Sequence, residues 1–547
     1  MRSAPPFSLM GLENDVSLEK SFSTSDSLFK FQGAKQPFKV RDSFEGILIF
    51  GSTGSGKSSS SGELIASSYL EYGYGGLVLP VKEDELALWK KRIQRSSREK
   101  SFIEFDDKSG FCYNFLEIES RNNNVINIVD LLQAAVNSER GVNAFTQDYW
   151  SDQTNLLLKN LVTLIFCSKE KISFRLLFDV IQSLPNTPEE SQVLHQDVFY
   201  VPISTDNISK DGYKNLAPLM KEDTELSAFI RLMRKSVINV SSSNSNVSES
   251  DLCLAYSYFF KTLPAIHEKT RTIFVSMIVA TIDSFLREPL SSLFDGKTNI
   301  DPSWIYSGAI IYVNLPVHTF KKTGRIANAI WKYCFQQELQ KRKVVGDSLS
   351  MKSRPVFLWV DEAQYLISSK DSEFQTTARS SLCSTVYLSQ NIPNYRASLG
   401  SSSLAKDLFN GLKGNMKTRI FHQNSDEETN KETTYLANFH VRQHFLLKFF
   451  LSDQKINELK KKNTFDSSTI FNLKTGGKEN KYTCEAIVCP PNSKMFGKKS
   501  YLKCKFHQKS FKKLTYSQLK VTSSRYQPDF KSYIDEIQKV QFKIFKK

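Results

Sequence analysis

Residues Gly51 to Ser58 read GSTGSGKS, directly behind the apolar run ILIF at Ile47 to Phe50 and directly ahead of SGELIASSYLEYGYG. No other stretch constrains the fold as strongly. A short apolar run predicts a buried strand, and Leu64, Ile65, Tyr69 and Leu70 recur at the spacing of one helix face, so the glycine-rich octet is a strand-to-helix turn. The octet satisfies G-x-x-x-x-G-K-[ST], whose glycines let the backbone wrap until successive N–H groups and the helix N-terminus converge on phosphate groups. On this reading Gly51, Thr53, Gly54, Ser55 and Gly56 shape and line the cradle. Lys57 reaches the β and γ phosphates of ATP, and Ser58 is a Mg²⁺ ligand. Ser59 and Ser60 would open the helix.

The same strand-like pattern recurs at GGLVLPV (Gly75 to Val81), FIEF (Phe102 to Phe105), GAIIYVNLP (Gly308 to Pro316), PVFLWVDEAQ (Pro355 to Gln364) and STVYLSQN (Ser384 to Asn391). Strands alternating with helices predict an α/β fold with a parallel sheet. Between about residues 122 and 288 the periodicity is helical instead, as in NLLLKNLVTLIF and AFIRLMRKSVI, with the Ser-rich loop SSSNSNVSES inside it. The expected organisation is a polar leader over residues 1–40, an α/β nucleotide-binding domain from 41–125 and 300–440, an inserted all-α domain over 126–299, and a β-rich basic segment over 441–547.

Hydrolysis at such a loop needs a carboxylate at a strand end for the metal and a group that handles the attacking water. In VFLWVDEAQ, Asp361 would be the Mg²⁺-side carboxylate, and Glu362 would orient or deprotonate the water. Gln390, at the end of the next apolar run, is placed to sense the γ-phosphate. Arg379 is a candidate finger acting across a subunit boundary, with a surface helix arginine as the alternative reading.

Lys and Arg number 73 against 57 Asp and Glu, a formal net charge of +16. Most of the excess lies from Phe471 to Lys547, where 18 basic residues face 5 acidic ones. Such a local field suits nucleic acid or an acidic surface, and equally a solvated basic face. With 40% hydrophobic and 12% aromatic residues the chain has the material for a packed core, which excludes global disorder. Eight scattered cysteines make no disulfide framework, and no N-terminal signal pattern precedes them. The longest apolar run, TIFVSMIVATI, falls short of the ~18–20 residues a spanning helix needs, so no transmembrane segment is expected. Cys484, Cys489, Cys504 and His507 superficially resemble zinc ligands, but their spacing departs from the usual pairs and core packing is the expectation. The Lys and aromatic mixture KSYLKCKFHQKSFKKLTY reads either as a phosphate-gripping, base-stacking tract or as one alternating strand with a cationic outer face.

Taken in order, GSTGSGKS, GGLVLPVKEDE with Lys82, YNFLE at Tyr113, QDYWSDQTNLLL with Trp150, VDEAQ, VYLSQN and GNMKTRIFHQNSDEET resemble the FtsK/HerA branch of P-loop motors, and within it the TraD/TraG-like coupling proteins of type IV secretion. The resemblance runs from about Phe44 to Gln508. It implies a RecA-like core with an inserted all-α domain that recognises cargo, here around residues 170 to 300, and a homo-hexameric ring with ATP between subunits. It also implies that Arg379 is the trans-acting arginine and Gln390 the γ-phosphate-sensing glutamine. The function implied is an ATP-driven DNA translocase delivering DNA or a DNA–protein substrate to a secretion channel, with relaxase or channel proteins as partners. The sequence leaves the strandedness of the DNA open. Coupling proteins carry an N-terminal transmembrane anchor, and this sequence shows no such run. A cytoplasmic protein, peripheral to the inner membrane through a partner, is therefore expected. A HerA/FtsK-like cytoplasmic motor for repair, segregation or phage DNA and a nucleotide-gated cargo recruiter remain as alternatives.

Overall fold

A computed structural model describes residues 22–140, 148–199, 226–241, 248–342, 350–351, 354–400, 403–438, 465–491, 494–497 and 499–508. These fall into two compact units. The described residues of the first lie within 1–105 and 302–547, and those of the second within 106–140 and 147–301.

In the first unit the strands are β1 (Phe22–Ser23), β2 (Ser27–Phe29), β3 (Phe38–Lys39), β4 (Ile47–Phe50), β5 (Gly75–Leu79), β6 (Phe102–Phe105), β7 (Ile310–Val313), β8 (Ser350–Met351), β9 (Val356–Val360), β10 (Cys383–Ser389), β11 (Thr418–Phe421), β12 (Thr483–Cys489) and β13 (Leu502–His507). Nine of them form one sheet in the order β13-β12-β11-β4-β10-β9-β5-β7-β6. From β11 to β6 every neighbouring pair is parallel. β12 and β13 join the edge as antiparallel strands, so the β-structure near the C-terminus extends the same sheet that carries the GSTGSGKS turn.

The sequence pattern follows from this topology. Interior strands β4, β5, β7, β9 and β10 are buried at every residue, which is why they read as unbroken apolar runs. Edge strand β13 alternates instead: Cys504 and Phe506 are buried while Lys503, Lys505 and His507 are exposed. A lysine-bearing edge also discourages pairing with another chain. Within residues 499–508 the cationic outer face is thus the observed arrangement. The rest of that Lys and aromatic tract and most of the Ser-rich loop lie outside the described residues.

The helix behind the glycine-rich turn spans Ser61–Tyr72 and packs Ile65, Tyr69 and Leu70 into the core. Gly73 ends it in the left-handed region at φ 100°. The second unit is helical, with long helices Val125–Arg140, Asp148–Ser168, Ala228–Ser241 and Glu268–Phe285. Its core includes Phe115, Phe174, Phe285 and Phe294, with Phe174 and Phe285 stacked at a 4.2 Å centroid distance. Among the described residues no helix is long and apolar enough to cross a membrane.

Candidate nucleotide site

Strands β4, β10, β9 and β5 are consecutive in the sheet and parallel, so their C-terminal ends form one row. At about 4.8 Å per strand, groups projecting from adjacent ends lie within reach of one another. The GSTGSGKS turn leaves β4. Gln390 follows β10, Asp361 and Glu362 follow β9, and Lys82 follows β5. A crevice beyond the carboxyl ends of a parallel sheet is where α/β proteins bind ligands.

The turn is strapped at its base. Gly51 N donates to Gln390 O at 3.2 Å, Ser52 N to Gln423 O at 2.9 Å, and His422 N to Phe50 O at 2.8 Å. A Cβ on Gly51 would stand 2.5 Å from Ser55 Oγ and 2.7 Å from His422 Cβ, so only glycine fits there. Gly56, at φ 88°, sits against Cys484 of β12. Lys57 Nζ donates to Gly51 O at 2.6 Å. Burial depresses its pKa, and the carboxylates of Glu362 and Asp361 oppose that shift. The Ser58 hydroxyl donates to Asp361 Oδ2 at 2.6 Å, and the Ser58 carbonyl accepts from Arg92 Nη2 at 2.9 Å. Arg92 is buried, paired to Glu63 at 2.8 Å and covered by the rings of Trp89 and Trp359. It fixes the backbone that carries the hydroxyl.

The first residues after Ser58 differ from the sequence expectation. Ser59 lies in the turn, and Ser60 is the N-cap of the helix, its carbonyl accepting from Leu64 N at 3.0 Å. Ser60 Oγ donates to Gly56 O at 2.6 Å, and Ser59 Oγ accepts from Gln508 Nε2, just past β13, at 2.8 Å. Ser59 therefore belongs to the turn, and the helix opens one residue later, at Ser60. The physical reason is competition: short hydroxyl side chains satisfied by a nearby carbonyl or amide stabilise a turn against a helix.

Glu362 is held in the left-handed region at φ 50°, ψ 50°, a conformation that costs a residue with a Cβ about 1–2 kcal/mol. Its carboxylate accepts from Lys82 Nζ at 2.5 Å and from Gln364 Nε2 at 2.8 Å, and Gln364 Oε1 in turn accepts from Ser389 Oγ at 2.7 Å. Burial alone would raise the carboxyl pKa. The bonds from Lys82 and Gln364 and the charge of Lys57 overcome it, leaving Glu362 below the usual carboxylate range and ionised. Lys82, Gln364, Ser389 and Arg92 had no individual role in the sequence reading. VDEAQ and VYLSQN do contain Gln364 and Ser389, but nothing local shows that they meet.

Arg379 lies elsewhere. It occupies the turn between the helix Ser369–Thr377 and β10, with a 73% exposed side chain and Glu45 Oε1 at 3.9 Å from its Nη1. Glu45 precedes β4 and Arg379 precedes β10, so both sit at the strand starts, whereas the GSTGSGKS turn sits at the strand ends. The length of β4, about 13 Å, separates the two edges. The structure does not bring Arg379 to the turn of its own subunit.

The residues fit a nucleotide with its metal. Ser55 Oγ is buried with no partner, and the amides of Gly54, Gly56, Lys57 and Ser58 make no hydrogen bond among the described residues. These are donors awaiting acceptors. Mg²⁺ on a nucleotide keeps waters and phosphate oxygens and needs only one or two protein oxygens, and the Ser58–Asp361 pair has the oxygens to match. Among the described residues no cluster of three or more His, Cys, Asp or Glu suits a metal held by protein alone. Cys484, Cys489 and Cys504 are buried, and Cys484 Sγ and Cys504 Sγ lie 3.8 Å from Ser55 O and 3.7 Å from Gln32 O.

Fold and site together define a P-loop protein with a RecA-like parallel sheet. Residues 13–256 match the family described as Type IV secretory system Conjugative DNA transfer, a stretch that includes the P-loop and ends before β9. The fold is similar to that of the plasmid coupling protein TrwB in complex with the non-hydrolysable GTP analogue GDPNP, at 12% identity and TM-score 0.52, covering 90% of this chain and 91% of the other. It is likewise similar to the unbound monoclinic form of the bacterial conjugative coupling protein TrwBdeltaN70, at 12% identity and TM-score 0.51, covering 91% of each. No curated protein matches. The family match over residues 13–256 and the fold likeness agree with the resemblance carried by the motifs.

Proposed function

We propose that this chain is an ATP-driven DNA translocase that works as a homo-hexameric ring and delivers DNA, alone or bound to protein, to a type IV secretion channel. The observation that supports it most is the row of strand ends that sets Ser58 against Asp361, with Glu362 beside them, in a chain whose family match is to conjugative DNA transfer. The P-loop amides and Lys57 bind the β and γ phosphates. Ser58 and Asp361 hold Mg²⁺, which neutralises phosphate charge when bound. Ionised Glu362 accepts a hydrogen bond from the attacking water and aims it at the γ-phosphorus, and Gln390 contacts the γ-phosphate. Arg379, exposed at the opposite edge, serves the site of the neighbouring subunit. That a coupling protein of this fold has been seen with a nucleoside triphosphate analogue is consistent with the assignment.

In this reading the helical unit, around residues 170 to 300, recognises cargo. The protein is cytoplasmic and peripheral to the inner membrane through a partner, with a relaxase or channel protein as the contact. The deciding experiment measures ATP hydrolysis with single- and double-stranded DNA alongside the mass of the oligomer. The expected result is DNA-stimulated turnover by a hexamer, abolished by Lys57→Ala. Glu362→Gln should bind ATP without turning it over. Turnover indifferent to DNA would replace the motor with a nucleotide-gated recruiter, and unchanged turnover in Lys57→Ala would sink the site.

A further inference from the structure

The ion pair between Lys82 and Glu362 has an asymmetry that the proposed hydrolysis does not use. Glu362 is fixed, with a 3% exposed side chain, a left-handed backbone and Gln364 on its second oxygen. Lys82 is 38% exposed in its side chain, so its ammonium stands between solvent and the buried carboxylate. Its backbone nevertheless does not move freely. Val81 N and Lys82 N both donate to Glu85 Oε1, at 3.1 and 2.8 Å, and His318 N donates to Val81 O at 2.9 Å. An anchored backbone carrying a long, half-exposed, four-carbon stem is a tether for a mobile charge.

Glu362, which Lys82 grips, directly follows Asp361, whose carboxylate accepts from the hydroxyl of Ser58 next to Lys57, so the Lys82 ammonium lies near the phosphate end of the cradle. A γ-phosphate arriving beside Glu362 would place two anions before one cation. The dianionic terminal phosphate of a triphosphate competes for that ammonium better than a single carboxylate does, and ADP, ending at the β-phosphate, has no group there.

We propose that Lys82 is a γ-phosphate-reading residue: its ammonium is latched to Glu362 in the absence of a triphosphate and transfers to a γ-phosphate oxygen when one binds, releasing the Glu362 carboxylate to receive the attacking water. No covalent bond or proton is exchanged. One ion pair replaces another, and the cation gained by the phosphate is the restraint removed from the carboxylate. This rests on the nucleotide-site reading above and names the second cation of that same site.

The test uses the full chain and two probes, ADP and the non-hydrolysable ATP analogue AMP-PNP, each titrated in Mg²⁺. Lys82→Met should leave ADP affinity within about threefold and weaken AMP-PNP about tenfold or more, the loss expected of one charge-assisted hydrogen bond. Lys82→Arg should restore most of the difference, because the charge is retained. In the Glu362→Gln background, Lys82→Met should still weaken AMP-PNP selectively. If the selective loss vanishes in that background, Lys82 acts only through Glu362 and the proposal falls. Equal weakening of both probes, or of neither, also overturns it. A wild-type chain that binds neither probe would instead defeat the nucleotide-site reading on which it stands.

Discussion

The hydroxyl of Ser58 and the carboxylate of Asp361 are 303 residues apart in the chain and 2.6 Å apart in space. Their strands, β4 and β9, are not neighbours; β10 lies between them, so the bond spans two strand ends. If this pair is the Mg²⁺ seat, Ser58→Ala and Asp361→Asn should each raise the Mg²⁺ concentration needed for half-maximal turnover by about tenfold or more, as loss of a ligand or its orienting partner does. Nucleotide binding measured in EDTA should change far less. An unaltered Mg²⁺ dependence would make the bond a purely structural tie.

Gly56 faces Cys484 so closely that an added Cβ would lie 2.2 Å from the thiol sulfur. Gly56→Ala should therefore destabilise the fold through two separable effects, the overlap and a left-handed φ of 88° that costs a Cβ-bearing residue about 1–2 kcal/mol. Cys484→Ala removes the sulfur and relieves only the first. In a denaturant double-mutant cycle the pair should be less destabilised than the sum of the singles by about 0.5–3 kcal/mol. Strict additivity would mean that the contact is not what limits the position.

Deep in the first unit, Lys332 Nζ lies 2.7 Å from Asp371 Oδ2, and Asp371 also accepts from Gln336 Nε2 at 2.8 Å, Tyr387 OH at 2.9 Å and Ser368 N at 2.7 Å. Removing the carboxylate leaves a buried ammonium and four donors to be resatisfied, these three and Ser368 Oγ at 3.3 Å. Asp371→Ala should cost about 3–5 kcal/mol. Lys332→Met should cost clearly less, because the carboxylate keeps its four other donors. Urea midpoints at constant m would rank the two, and the reverse order would show that the lysine, not the aspartate, organises the cluster.

How much of this was legible beforehand depended on range. The P-loop and VDEAQ are contiguous, because phosphate-binding amides and a strand-end carboxylate come from single turns, and the strands beside them announce themselves as apolar runs. What the one-dimensional pattern lacks is the lateral order of parallel strands. That β5 lies beside β9, and so delivers Lys82 to Glu362, follows from crossovers that leave no local trace. Arg379 could be singled out by its position in the motif series, but only the sheet's polarity places it at the strand starts. The helix opens at Ser60 and not at Ser59, whose hydroxyl is held by Gln508 from beyond β13, a partner with no local trace. Cys484 and Cys504 looked ligand-like in spacing, yet the period-2 alternation of β12 and β13 turns both inward.

His422 is fully buried beneath the P-loop, its Nε2 2.7 Å from Ser61 Oγ, and burial together with the charge of Lys57 drives its pKa from 6.5 down to about 3. The folded chain thus binds this proton only near pH 3, whereas the unfolded chain binds it below pH 6.5. The contribution to stability is fully present above pH 6.5 and is lost as the pH falls toward 3, with a limiting slope of about 1.4 kcal/mol per pH unit. His422→Gln cannot take up that proton. Between pH 7 and pH 5 the wild type should lose more unfolding free energy than the variant, and equal losses would show that His422 does not titrate on unfolding.

Arg379 stands at the strand starts with its side chain in solvent, a strand's length from its own P-loop. In a ring in which each site joins the P-loop of one subunit to the arginine of the next, Lys57→Ala and Arg379→Ala each inactivate every site of a uniform ring. In a ring assembled from both, an interface that takes its P-loop from an Arg379→Ala subunit and its arginine from a Lys57→Ala subunit has both groups intact. An equal mixture, unfolded or dissociated and then reassembled, forms roughly a quarter of its interfaces this way in a heterologous ring. Turnover of the mixture should therefore exceed that of either parent severalfold. An arginine acting within its own subunit could not complement, because each variant would carry its defect into every site it builds. A mixture no more active than the mean of its parents would remove Arg379 from the subunit boundary.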